Sequence, residues 1–145
     1  YTTYRVHAVD SHLELGVALK SGNKAQKEYM KMKKVKITIL KTTLDAELAK
    51  EYGVKDLTAC PMMEKGQVFY ADYAKPDGFC DEAWKAVYQY VFALAHGCGK
   101  ELFYYGDWID KPNVAICSCN DGLRPVIMKL EAVDEEAKIN YTPTR

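Results

Sequence analysis

The sequence predicts an α+β fold. It is expected to be a single two-layer domain, with one long central helix (residues 79–96) packed on one face of an antiparallel or mixed sheet that ends in a C-terminal β-hairpin. Three observations predict this. Val35 to Leu40 alternates apolar and polar residues, the period of a half-buried strand. Ala83, Trp84, Val87, Tyr90, Val91, Leu94 and Ala95 recur at helical spacing as one wide apolar stripe, with Glu82, Lys85, Gln89 and His96 on the opposite face. Asn120-Asp121-Gly122 stands between two strand-forming runs, Val114–Cys119 and Val126–Leu130, and these three residues suit a tight hairpin turn. The order strand, helix, strand, long helix, strand, strand is that of a sheet with its helices on one side.

Taken in order, the chain opens on Tyr1, and residues 1–31 differ in texture from the rest of the chain. Tyr4 to Val9 reads as a short strand, Ser21-Gly22-Asn23 as a break, and Lys24 to Lys33 as a helix or a solvated linker. This segment is an extra strand, a linker, or a fused or vector-derived piece, and the domain proper is expected over 32–133. After the first strand, Thr43 or Asp45 caps a short helix through Ala46, Leu48, Ala49 and Tyr52, which Gly53 ends. A loop spans Leu57 to Met63, in which Pro61 biases Cys60 toward extended backbone.

Glu64-Lys65-Gly66 turns into a strand at Gln67 to Tyr70, and Lys75-Pro76-Asp77-Gly78 is a second turn. The long helix opens at Phe79-Cys80-Asp81, with Asp81 suited to the N-cap or first turn, and closes at His96-Gly97. Cys98 to Lys111 is aromatic and irregular, and reads as a strand, a lid or a subunit contact. Residues 134–145 read as a charged, frayed tail.

Composition bounds the function classes. A chain of 145 residues can bury a real core as one domain. Twenty basic residues balance twenty acidic ones, so there is no electrostatic case for nucleic acid. The longest apolar run, Ala86 to Ala95, is broken by Gln89 and is too short to span a bilayer, so no membrane partner is expected. The N-terminus lacks a charged-then-apolar block, so no secretory leader is expected either. The five cysteines are an odd number with no C-x-x-C pair, which points to free thiols in a reducing cytoplasm.

Residues from about Met32 to Val133 resemble a family of small conserved hypothetical proteins. The resemblance rests on Cys60-Pro61, Gly66-Gln67-x-Phe69, Gly78-Phe79-Cys80-Asp81-x-Ala83-Trp84, Tyr90-Val91-x-Ala93-Leu94-Ala95 and Asp121-Gly122-Leu123-Arg124-Pro125-Val126. The family has no assigned activity, so the resemblance implies a folding unit rather than a reaction. Its members often carry adjacent cysteines before the Thr-Asp-Gly turn. Here that stretch is Ser118-Cys119-Asn120, with the extra cysteine at Cys117.

The chemistry concentrates at the expected hairpin and its surroundings. Cys60, Cys80 and Cys119 all stand at element edges: before a proline, at a helix start and at a hairpin tip. A helix N-terminus favours thiolate, the form that acts as nucleophile or metal ligand. Cys117 and Cys119 share one strand face by the two-residue period. If these edges converge, Cys60, Cys80, Cys119 and Cys117 would suit zinc or an iron–sulfur cluster. Otherwise they are structural thiols. Cys80 and Cys119 are also the candidate catalytic nucleophiles.

Arg124, Asp121 and Trp84 are the candidate ligand-binding residues, with Arg124 able to hold a carboxylate or phosphate. The plainer reading is that Asp121 makes an Asx turn and Arg124 pairs with it or with a neighbouring acid. His7, His12 and His96 show no ligand spacing, and no glycine-rich phosphate loop follows a strand. Three functions remain open on the residues alone. One is a cysteine-lined ligand or metal site, accessory to a larger enzyme. The second is a thiol-dependent enzyme, and the third a homo-oligomeric interaction module using Leu102 to Trp108.

Overall fold

A computed structural model describes residues 31–99 and 103–139 of the chain. Contacts divide the chain between Met30 and Lys31, and all the described residues belong to the second unit. The expected strand, break and lysine-rich segment before residue 31, with His7 and His12, lie outside the described residues, as do Leu102 and the chain end after residue 139.

The unit is α+β. Strands β1 (Lys33–Thr42), β2 (Val68–Ala71), β3 (Val114–Ser118) and β4 (Val126–Glu136) form one sheet in the order β2-β1-β4-β3, and every pairing is antiparallel. Helices α1 (Ala46–Tyr52) and α2 (Asp81–Ala95) complete it. β1 is longer than its alternating run indicates, and Val35, Ile37 and Ile39 are its buried row. Val126, Met128 and Leu130 of β4 and Ala115 of β3 continue that row across the sheet.

α2 covers this face with Ala83, Val87, Val91, Leu94 and Ala95, the buried part of the apolar stripe. Trp84 and Tyr90, at the stripe's flanks, are only partly buried. Each fully buried Val, Leu, Ile or Met in this layer contributes about 1.5–3 kcal/mol of apolar burial, which makes the α2–sheet interface the core of the unit.

Caps set the helix limits. Asp45 caps α1 by accepting the Leu48 N–H at 3.0 Å. Thr43 instead directs its hydroxyl to the Pro125 carbonyl, 2.6 Å away. Gly53 ends α1 with ordinary negative φ, and its role is steric. A Cβ there would lie 2.5 Å from the Ala49 carbonyl oxygen. α2 starts at Asp81 rather than 79, with Cys80 in the extended N-cap position and Asp81 and Glu82 in the first turn. It ends in a Schellman closure, with Gly97 N–H on the Leu94 carbonyl, Cys98 N–H on the Ala93 carbonyl, and Gly97 at φ +80°.

Two expectations are corrected. The β3–β4 connection is not a tight turn, since the strands end at Ser118 and resume at Val126, leaving residues 119–125 as loop. Arg124 lies in that loop, before the start of β4. No residue from 119 to 125 takes positive φ, so Asn120-Asp121-Gly122 acts through side-chain hydrogen bonds rather than left-handed backbone. The expected tail is also shorter, because β4 continues to Glu136 beside β1. Lys33–Asp134 and Lys34–Glu135 ion pairs flank that extension.

Candidate functional site

Three chain-distant cysteines meet at one end of the α2–sheet layer. Cys60, Cys80 and Cys119, with Met62, Met63, Ala83 and Val126, line an apolar cavity of about 20 Å³. That is room for about one water-sized probe. No charged side chain is among its lining residues.

Each thiol arrives for a local reason. Cys60 precedes Pro61, which disfavours helical backbone at that position, and Met63 just beyond it is buried. Cys80 holds the α2 N-cap position, but its thiol makes no capping hydrogen bond. Its neighbours are fixed by Lys75, which donates to the Phe79 carbonyl at 2.9 Å and pairs with Asp81 at 3.3 Å. Cys119 is the first residue past β3. Its N–H donates to the Val126 carbonyl at 3.1 Å, and its sulfur accepts the Val126 N–H at 3.3 Å.

The 119–125 loop brings these pieces into place. Asn120 donates its side-chain N–H to the Glu82 carbonyl at 3.2 Å, tying the loop to the first turn of α2. Asp121 accepts the Leu123 and Arg124 backbone N–H groups at 2.9 and 3.2 Å, and its other oxygen accepts Arg124 Nε at 2.9 Å. This is the Asx turn with its internal ion pair. Partial burial pushes the Asp121 carboxyl up. The Arg124 guanidinium and the two N–H donors outweigh it, and the net direction is down. From the loop, the Leu123 and Pro125 carbonyls accept the Asp45 and Thr43 N–H groups at 2.8 and 3.2 Å, which ties the loop to the start of α1 as well.

Not every candidate joins the cluster. Cys117 shares the inward face with Cys119 but is not a lining residue of the cavity, and burial pushes its thiol up to about 11. Trp84 packs on Phe79 and Tyr88 at 6.2 and 5.6 Å between ring centroids, and is absent from the cavity lining too. Asp121 and Arg124 stand in the adjoining loop and face each other. His96 stacks on Phe92 at the far end of α2, fifteen residues of helix or about 22 Å from Cys80. Among the described residues, no three Cys, His, Asp or Glu side chains come together as a metal site. All five cysteines are free thiols.

Two features escaped the sequence reading. Met62 and Met63 join the thiols, and only the tertiary fold says so. Trp84, Tyr88, Phe92 and His96 form an aromatic ladder along α2, with Tyr73 ring centroids 6.3, 5.9 and 6.1 Å from the last three. Their four-residue spacing was a readable signal. Elsewhere, Trp108 is 76% exposed and stacks on Tyr104 at 4.3 Å, within a turn where Tyr104 takes φ +56°.

No described helix is long and apolar enough to cross a membrane. Comparison with protein-family models, with curated proteins and with solved structures finds no match for this chain.

Proposed function

We propose that the protein is a thiol-centred binding protein, and that Cys60, Cys80 and Cys119 form the site for a small soft ligand or metal ion. The carrying observation is the cavity lining, in which three thiols from separate loops and two thioethers face one small space with no oxygen or nitrogen side chain among them. Such a lining disfavours hard cations and favours thiophilic ones, for which Cys and Met are the matching donors. A metal ion there would have to draw the Cys60, Cys80 and Cys119 side chains together, with Met62 and Met63 as further sulfur donors. Binding is favoured over the alternative of a thiol-dependent enzyme because His96, the one described histidine, stands a helix length from Cys80. A reducing compartment such as the cytoplasm would keep the thiols free.

The test is anaerobic titration with Cu(I), Cd(II) and Zn(II), read by sulfur-to-metal charge-transfer absorption where the ion gives it and by bound-metal stoichiometry. One equivalent bound by the wild type and lost in Cys80→Ser and Cys119→Ser supports the reading. No binding by a folded, fully reduced protein sinks its metal version.

A second reading, a homo-oligomeric interaction module, is favoured by the exposed Tyr104–Trp108 stack. Sedimentation of Trp108→Ala tests it: an oligomer that dissociates in this variant supports the reading, and a monomeric wild type removes it.

A further inference from the structure

We infer that the outer edge of β3 pairs with the same edge of a second copy of this chain, antiparallel and centred on Ile116. The backbone phase carries the inference. Cys119 and Val126 face each other, with N–H of the one on the carbonyl of the other. Antiparallel ladders alternate, so Cys117–Met128 and Ala115–Leu130 are the pairs that exchange bonds within the sheet. The N–H and C=O groups of Val114, Ile116 and Ser118 therefore point away from β4. Among the described residues, no strand pairs with that edge.

The edge is suited to itself. Placing a two-fold axis at Ile116 sets Val114 opposite Ser118 of the second copy, Ile116 opposite Ile116, and Ser118 opposite Val114. All three pairs bring outward-pointing groups together, and each exchanges two N–H···O bonds. A two-fold makes every residue meet its own kind or its mirror position, so a charged edge would repel itself. β3 is Val-Ala-Ile-Cys-Ser, with none of the charge, proline or bulge that can protect a solvent-facing edge.

The nearest charged pair on β4, Lys129 and Glu131, is closed on itself at 2.8 Å. α2 leaves the edge open, since a groove of about 420 Å³ separates Lys85 and Gln89 from Ile116 to Asn120. Ile116, 48% exposed, would gain burial against its own copy.

The experiment uses the full chain. Sedimentation velocity over on the order of a hundredfold range of concentration is expected to show a monomer–dimer equilibrium. Ile116→Pro removes an outward N–H without removing a β3–β4 bond, and should raise the dimer dissociation constant by about tenfold or more while circular dichroism stays unchanged. In a Cys98→Ser background, Ile116→Cys should form a disulfide dimer under mild oxidation and Val114→Cys should not, because only residue 116 meets itself across the axis.

Monomer at all concentrations overturns the inference, including the case in which another part of the chain covers the edge. So does a dimer indifferent to Ile116→Pro but lost in Trp108→Ala, or equal cross-linking through position 114.

Discussion

The Val126 backbone N–H donates to the Cys119 sulfur at 3.3 Å while the Val126 carbonyl accepts from the Cys119 N–H. Val126 is buried, so this thiol serves as an acceptor that the β4 backbone would otherwise lack. Cys119→Ala should destabilise by about 1–2 kcal/mol in urea unfolding, because a buried donor is left unpaired. Cys119→Ser keeps an acceptor and should recover part of the loss. Equal stability of the wild type and the alanine variant would remove this account of the sulfur.

Thiol accessibility should rank the cysteines. Cys98 is exposed, and Cys117 is inward-facing with its thiol raised to about 11. Iodoacetamide labelling near neutral pH, with mass-spectrometric readout, should modify Cys98 first and Cys117 last. Faster labelling at Cys117 than at Cys98 would contradict the burial described.

The same raised thiol makes stability depend on alkaline pH. An unfolded Cys117 ionises near 9.0, whereas the folded one resists up to about 11. Its contribution is therefore complete below pH 9.0 and is lost as pH rises toward 11. Urea midpoints should fall across that window, and less steeply in Cys117→Ala.

Asp121 acts at the acid end. Its carboxyl is held below its ordinary value, so the stability it supplies is present above about pH 4 and drains away as pH falls through the depressed value. Asp121→Ala should flatten the acid limb of a pH-stability profile and loosen the 119–125 loop, read as faster amide exchange at Leu123 and Arg124. An unchanged acid limb would show that the Asp121–Arg124 pair carries no net stability.

Steric and packing effects separate cleanly. Gly53→Ala forces a Cβ to within 2.5 Å of the Ala49 carbonyl oxygen and should cost about 1–3 kcal/mol. Leu130→Ala, in the buried row under α2, should cost about 2–5 kcal/mol. Thermal or urea unfolding measures both, and a Leu130→Ala loss below that of Gly53→Ala would misplace the core.

Much was legible from residue patterns because local physics writes them. The alternation in β1, the apolar stripe of α2 and the His96-Gly97 closure all express interactions within a few residues. The Asx turn of Asp121 with its Arg124 pair was equally readable, since its bonds span three residues or fewer. The hairpin connection is not legible in this way. Asn-Asp-Gly suits a tight turn, yet Asn120 bonds to α2 and the Leu123 and Pro125 carbonyls bond to the start of α1, so the loop obeys long-range partners.

The sequence by itself determined the α+β class, the buried faces and the presence of thiols at three element edges, because periodicity and capping are set by near neighbours. Only the tertiary structure decided that β4 inserts between β1 and β3, that Cys60, Cys80 and Cys119 share one cavity with Met62 and Met63, and that β3 is left as an edge. Those outcomes depend on closing long loops against a common core, and residues far apart in the chain carry no local mark of the partners that closure gives them.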